Sequence, residues 1–261
     1  MTTWIFLRGL TREAAHWGGF PAVFQRAMPA ARTITPDLPG NGQRHREASP
    51  ASVAGMVAAC RAEVARQGIA TPVHLLAMSL GAMVAMEWAR VAPAEVAACV
   101  LINTSVRPFS PFYQRLLPHN HTTLLRLALA PGSPQDAERA ILRMTSNRAQ
   151  AHEPVVQEWA ATRAQRPVSA ANALRQLVAA ARFTAPAVAP IPQVLLLASE
   201  HDRLVDSRCS RALAHAWHCP LALHPTAGHD LPLDDPHWVA DQVRRWRGNA
   251  QQCHERVTVS S

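Results

Sequence analysis

Short runs of consecutive apolar residues alternate along the chain with longer segments whose apolar residues recur at helical spacing. The apolar runs predict strands over residues 4–7, 31–35, 73–78, 96–102, 193–198 and 221–224. The helical spacing predicts helices over residues 21–28, 52–67, 80–91, 207–217 and 235–246. Strands that are apolar along their whole length, and do not alternate apolar with polar residues, are typical of parallel sheets that helices cover on both faces. The pattern therefore predicts an α/β fold with a mostly parallel central sheet.

The pattern changes between residues 105 and 189. This segment has helical spacing, is rich in Ala, Arg and Leu, and is interrupted by prolines, without a convincing strand. We therefore expect a run of helices between the fourth and fifth strands. The polar C-terminal residues 248–261 are expected to form a flexible tail.

The chain is strongly basic, with a formal net charge of +8 that comes from 26 arginines and no lysine. The arginines are spread along the chain, and no zinc-finger, basic-zipper or RNA-binding motif accompanies them. We therefore expect a small-molecule partner and no nucleic acid. Attraction to anionic substrates or surfaces stays an open alternative, because a bias to arginine reflects genome composition as readily as recognition chemistry. The sequence leaves the oligomeric state open.

The sequence has no recognisable membrane or export segment. No apolar run approaches the ~20 residues that a membrane-spanning helix needs. The first residues enter a strand-like run directly and lack the basic segment and long apolar core of a secretory signal. We therefore expect a cytoplasmic protein without a membrane span.

Metal and cofactor motifs are missing from the sequence. Five cysteines are scattered without a C-x-x-C pair, which is typical of reduced thiols. His119 and His121 lack the neighbouring carboxylates of a metal site, and nothing resembles H-E-x-x-H. Gly40 and Gly42 follow a strand but lack the third glycine of a dinucleotide fingerprint. We expect no metal and no cofactor.

One stretch, residues 73–85, passes from an apolar strand directly into an Ala-rich helix. Ser79 lies at the bend, with the small residues Ala77 and Gly81 two positions before and after it. A sharp strand-to-helix turn projects its serine hydroxyl and needs small flanking residues, because the backbones approach closely there. The pattern alone fits a nucleophilic Ser79 and an ordinary buried junction with an incidental serine equally well.

Polar residues follow the ends of several predicted strands. They are Arg8, Asp37, Ser79, Asn103 and Asp202, with His229 a short loop beyond the last strand. The active sites of parallel sheets lie beyond the carboxyl ends of the strands, so we expect these side chains at one edge. A serine hydroxyl needs a base within hydrogen-bond reach and an acid that orients the base.

His229 is the best candidate base, because its Gly-His-Asp turn lies between the last strand and the last helix. Asp202 is the best candidate acid, because it lies in the loop after the penultimate strand. The alternatives that remain open are Asp206 and Glu200 for the acid, and His224 and His237 for the base. An exposed turn aspartate or a helix cap would also explain Asp202.

The order Ser, Asp, His along the chain is that of the α/β-hydrolases, which the sequence resembles from its start to about Trp246. The matching pieces are Phe6–Gly9 with Trp17, Asp37–Gly42, Ala77–Gly81, Asp202–Val205, and Gly228-His229 with Asp235-Pro236. The resemblance implies an α/β-hydrolase core over residues 1–104 and 190–247, with a helical cap over 105–189. It also implies an oxyanion hole formed by the backbone N–H groups of Leu10 and Leu80.

Arg8 departs from the family pattern, which usually has histidine before the first-loop glycine. One interpretation gives Arg8 a structural ion pair or loop hydrogen bond; the other has it face the pocket and hold an anionic group. We take Arg8 and Trp17 as candidate substrate-binding residues. The backbone donor of Leu10 is independent of this change.

The sequence thus predicts a serine hydrolase, similar to capped bacterial carboxylesterases, that acts on small to medium carboxylic esters. The same triad would serve a C–C bond hydrolase, a thioesterase, an amidase or an acyltransferase. A non-catalytic ligand receptor of the same fold is the alternative from another class.

Overall fold

Six parallel strands form one sheet in the computed structural model of the chain, which describes residues 1–129 and 132–258. The strands are β1 Thr2–Leu7, β2 Ala31–Ile34, β3 Val73–Met78, β4 Val96–Ile102, β5 Val194–Ser199 and β6 Leu221–His224. Their order in the sheet is β2-β1-β3-β4-β5-β6, and every neighbouring pair is parallel. All six predicted strands are therefore confirmed: β3, β4 and β6 have the predicted ends, and the ends of the others differ by one or two residues.

The helices lie on both faces of the sheet and between β4 and β5. In chain order they are α1 Phe20–Ala27, α2 Val53–Arg66, α3 Leu80–Val91, α4 Phe112–Arg115, α5 His121–Leu129, α6 Pro134–Thr145, α7 Val155–Gln165, α8 Ala170–Arg182, α9 Arg208–Trp217, α10 Leu231–Asp234 and α11 Pro236–Thr258. Ser52 caps α2 by accepting a hydrogen bond from the Gly55 N–H. The α/β fold is thus confirmed.

The side chains of each strand point alternately to the two faces of the sheet, and each face packs into its own hydrophobic core. In β1, Ile5 and Leu7 pack with α2, α3 and α9, whereas Trp4 and Phe6 pack with α1 and α11. Both faces of the sheet are therefore buried, which explains why the strands are continuous apolar runs. The carboxyl ends of the strands are left to carry polar side chains.

The chain between β4 and β5 is helical, as expected. Helices α4 to α8 lie in this segment, and its only strand-like pairing within the described residues is an isolated bridge between Arg107 and Thr184. The division into a core and a cap stays a prediction.

Helix α11 is longer than the sequence pattern indicated. The helix was expected to end near Trp246, but it continues to Thr258, so that expectation is wrong. Gly248 is the weakest helix former in the added stretch, and one glycine costs only about 1 kcal/mol. The last residues of the expected tail, 259–261, lie outside the described residues. Within the described ranges, neither α11 nor any other helix is long and apolar enough to cross a membrane.

Candidate active site

Ser79 lies in a strained turn between β3 and α3. Its φ and ψ angles are 54° and −117°, a conformation that non-glycine residues rarely adopt. A Cβ on Gly81 would lie only 2.6 Å from the Arg8 carbonyl oxygen, so no larger residue fits there. Ser79 is half-buried, whereas all six residues of β3 are buried. The turn therefore holds the serine at the carboxyl edge of the sheet.

His229 and Asp202 meet directly at this edge. The Nδ1 atom of His229 lies 2.7 Å from Oδ2 of Asp202, and both side chains are buried. The other carboxylate oxygen, Oδ1, accepts hydrogen bonds from the backbone N–H groups of Leu204 and Val205 at 2.7 and 3.0 Å. An ionised carboxylate only accepts, so in the neutral imidazole Nδ1 carries the proton and Nε2 presents the lone pair.

The alternative acids have other partners in the structure. Asp206 pairs with Arg208, and Glu200 pairs with Arg211, both at the protein surface. Neither carboxylate contacts a histidine within the described residues. The geometry therefore favours Asp202 over both alternatives.

The alternative bases are placed differently from His229. His224 is buried, and its Nδ1 accepts a hydrogen bond from the Ala227 N–H, while its Nε2 lies 3.3 Å from Asp235. Its ring therefore shapes the loop that carries His229. His237 is exposed on α11.

Asn103, which follows β4 directly, holds the loop that carries His229 at the same sheet edge as Ser79. Its Nδ2 donates to the His229 carbonyl at 2.7 Å, and its Oδ1 accepts from the Ser199 N–H at 2.8 Å. The preceding residue, Ile102, accepts the Ser79 N–H at 2.9 Å. Within the described residues Ser79 Oγ makes no hydrogen bond to His229, and such contacts often tighten only when substrate binds.

Two backbone donors flank Ser79 without a partner. In the described part of the chain, the N–H groups of Leu10 and Leu80 make no hydrogen bond. Leu80 begins α3, and Leu10 follows Gly9, where an added Cβ would lie 3.2 Å from Ser79 Cβ and 3.6 Å from its Oγ. The loop after β1, residues 8–13 (the first loop), therefore packs directly against the serine.

Gln176 on α8 holds this first loop, a contact that the sequence reasoning missed. It is fully buried, and its Oε1 accepts the N–H of Thr11, which has a φ of 55°, at 2.8 Å. Its Nε2 donates to Asn41 Oδ1 at 2.8 Å and to Ser49 Oγ at 2.9 Å. The only sequence signal was a pair of amides, Asn172 and Gln176, four residues apart on one helix.

We expect Gln176→Leu to lower kcat about ten- to a hundred-fold, because the loop that carries Leu10 loses its anchor. The unpaired Thr11 N–H should also cost about 1–3 kcal/mol in the free energy of unfolding. Steady-state kinetics and urea unfolding measure the two effects. The matched control is Gln157→Leu at an exposed position on α7, and equal losses in both variants would contradict the anchoring role.

Arg8 forms a buried ion pair with the residue that follows His229. Its two terminal nitrogens donate to Asp230 Oδ1 at 3.1 Å and Oδ2 at 2.6 Å, and its guanidinium lies 4.7 Å from the Trp17 ring centroid. Burial raises the pKa of Asp230, but the charge and hydrogen bonds of Arg8, together with the nearby charges of Arg12 and His229, lower that pKa overall. These contacts match the ion-pair interpretation; substrate binding by Arg8 and Trp17 stays a prediction.

Comparison with known families agrees with this geometry. A family model described as the alpha/beta hydrolase family matches residues 4–242. The chain belongs to the α/β-hydrolase family. The resemblance seen in the sequence motifs is thereby confirmed, and the family match covers the sheet, Ser79, Asp202 and His229. Comparison with curated proteins gives no sequence match.

Solved α/β-hydrolase structures resemble the chain over nearly its whole length. The protein described as the non-heme bromoperoxidase BpoC from Mycobacterium tuberculosis is 22% identical, with a TM-score of 0.75 and 95% and 92% of the two chains covered. A thermophilic esterase from Thermogutta terrifontis is 19% identical, with a TM-score of 0.73 and 95% and 90% covered. A meta-cleavage product hydrolase from Pseudomonas fluorescens is 15% identical, with a TM-score of 0.74 and 96% and 92% covered. At these identities the likeness establishes the fold.

Proposed function

We propose that this α/β-hydrolase is a serine hydrolase that cleaves small to medium carboxylic esters through an acyl-enzyme intermediate. The observation that carries the proposal is the 2.7 Å contact between His229 and Asp202 at the sheet edge where the strained Ser79 projects. A nucleophile, a base and an orienting acid are the groups that acyl transfer at a serine requires.

In the first step Ser79 Oγ attacks the ester carbonyl while His229 Nε2 takes the hydroxyl proton. Asp202 accepts the Nδ1–H bond, which fixes the tautomer and stabilises the imidazolium that forms. Because the two backbone N–H groups on Oδ1 hold the carboxylate, the imidazole needs little reorientation.

The N–H groups of Leu10 and Leu80 are proposed to bind the oxyanion of the tetrahedral intermediate. Each such donor contributes about 3–4 kcal/mol to transition-state stabilisation. Leu80 also begins α3, whose N-terminal dipole favours negative charge.

The intermediate collapses when the imidazolium of His229 protonates the departing alcohol. Water then attacks the acyl-enzyme with His229 as its base, and the acid leaves. We propose that residues 105–189 form a cap over a core of residues 1–104 and 190–247, and that Arg8 and Trp17 contact substrate from the first loop.

A panel of p-nitrophenyl esters of rising acyl length, with a thioester and an amide of the same acyl group, tests the reaction class. We expect turnover of short and medium esters, slower turnover of the amide, and a loss of about 10⁶ in kcat for Ser79→Ala. Preference for the thioester or amide would contradict the ester assignment, and no turnover of any compound would contradict the hydrolase.

A further inference from the structure

Helix α8 has an unusual distribution of side chains, with amides inside and leucines outside. Its inward face carries Asn172 and Gln176, which are buried. Asn172 is hydrogen-bonded to Ser49, and Gln176 to Asn41. Its outward face carries Leu174, which is 61% exposed, and Leu177, which is 46% exposed. A helix whose only role was to pack on the protein interior would bury its leucines and expose its amides.

Helix α4 lies beside the C-terminal end of α8 and also exposes apolar side chains. Arg115 on α4 donates to the carbonyl oxygens of Ala180 at 2.6 Å and Ala181 at 3.3 Å, so α4 lies against the last turn of α8. Phe112 and Tyr113 on α4 are 78% and 49% exposed. Within the described residues, six of the eight exposed large apolar side chains belong to residues 105–189.

The same segment carries most of the net positive charge of the chain, although fewer than half of its arginines. Residues 105–189 contain ten arginines and four acidic residues. Arg139, Arg163 and Arg166 pair with carboxylates, but across the described ranges the other seven form no ion pair. Three of the seven are exposed on α8 or next to its C-terminal end: Arg175 and Arg182 lie on α8, and Arg107 pairs with Thr184 just beyond it. We define the α4–α8 surface as Phe112, Tyr113, Leu174 and Leu177 with these three arginines.

We propose that the α4–α8 surface binds a lipid bilayer that contains anionic lipids. Exposed leucine and aromatic side chains enter the headgroup boundary, and arginines beside them bind anionic headgroups. A second copy of the chain is a poor occupant, because two such surfaces would bring like charges together. The proposal does not depend on Ser79 being a nucleophile.

Co-sedimentation with phosphatidylcholine vesicles and with mixed phosphatidylcholine–phosphatidylglycerol vesicles tests the proposal, since it requires no turnover. We expect the full chain to bind the anionic vesicles and not the zwitterionic ones. Binding should weaken strongly when NaCl is raised to about 0.5 M, because salt screens the headgroup charge.

Paired variants locate the binding to the α4–α8 surface. We expect Arg175→Glu/Arg182→Glu and Leu174→Ser/Leu177→Ser each to weaken anionic-vesicle binding at least about ten-fold. The matched charge control is Arg26→Glu/Arg32→Glu, at exposed positions on α1 and β2, which should stay within about two-fold of wild type. Thermal melts confirm that each variant is folded.

Three results would overturn the proposal: no binding of the folded wild type to anionic vesicles, equal binding to zwitterionic vesicles, or equal effects of the surface and control variants. If the folded wild type does not bind anionic vesicles but binds an acidic protein through the α4–α8 surface, the surface belongs to a protein partner. If the wild-type chain binds anionic vesicles but hydrolyses no ester, only the proposed function is overturned and the bilayer proposal stands.

Discussion

Asp202→Asn is expected to lower kcat about 10⁴-fold while leaving the fold intact. An asparagine in this position would present its amide to His229 Nδ1 and favour the wrong tautomer, so Nε2 would hold a proton instead of a lone pair. The backbone donors of Leu204 and Val205 would still hold the side-chain oxygen in place. The loss should therefore be seen in kcat on a p-nitrophenyl ester, with thermal unfolding close to wild type.

Asp206→Asn is the matched control for this prediction. Asp206 lies four residues away, was the competing acid in the sequence, and pairs with Arg208 at the surface. Because surface substitutions of this kind change stability by less than about 0.5 kcal/mol, we expect near wild-type kinetics. Equal activity losses in both variants, or retention of a tenth of the activity in Asp202→Asn, would contradict the role given to Asp202.

Asp230→Ala is expected to lower the free energy of unfolding by about 3–5 kcal/mol. The change would leave the Arg8 guanidinium buried without its carboxylate, and an uncompensated buried charge is costly. The pair joins the first loop, which carries Leu10, to the loop that carries His229, so activity should fall as well. Urea unfolding monitored by tryptophan fluorescence measures the stability change.

The double variant Arg8→Met/Asp230→Leu separates the lost pair from the stranded charge. Replacing both partners with apolar residues removes the uncompensated charge, so most of the lost stability should return. A double variant as unstable as Asp230→Ala would contradict this account of the pair.

Comparing neutral and carboxylate-bearing esters on Arg8→Ala tests substrate binding, because equal losses on both would exclude an anion-binding role.

Local patterns were sufficient to predict the sheet and the position of Ser79. Each strand is buried on both faces, so its sequence is a continuous apolar run that is read without knowledge of its neighbours. The small residues Ala77 and Gly81 reflect the close approach of the first loop to α3, which is also a local requirement. His229 was prominent because a short loop separates it from the last strand.

Contacts between distant segments were beyond such reasoning. The partner of Arg8 lies 222 residues away, and Gln176 reaches Thr11 across 165 residues, so no local spacing indicates either pair. The choice between Asp202 and Asp206 depended on the direction of a single turn, which the sequence left open. The end of α11 was missed because its polar composition was taken for a helix stop.

Labelling with a fluorophosphonate probe, mapped by mass spectrometry, tests whether Ser79 is a nucleophile, since the probe reacts only with an activated hydroxyl. We expect a single adduct on Ser79 in the wild type, none in Ser79→Ala, and much slower labelling of Asp202→Asn. Failure of folded wild-type protein to react, or an adduct that persists in Ser79→Ala, would contradict the nucleophilic role of Ser79.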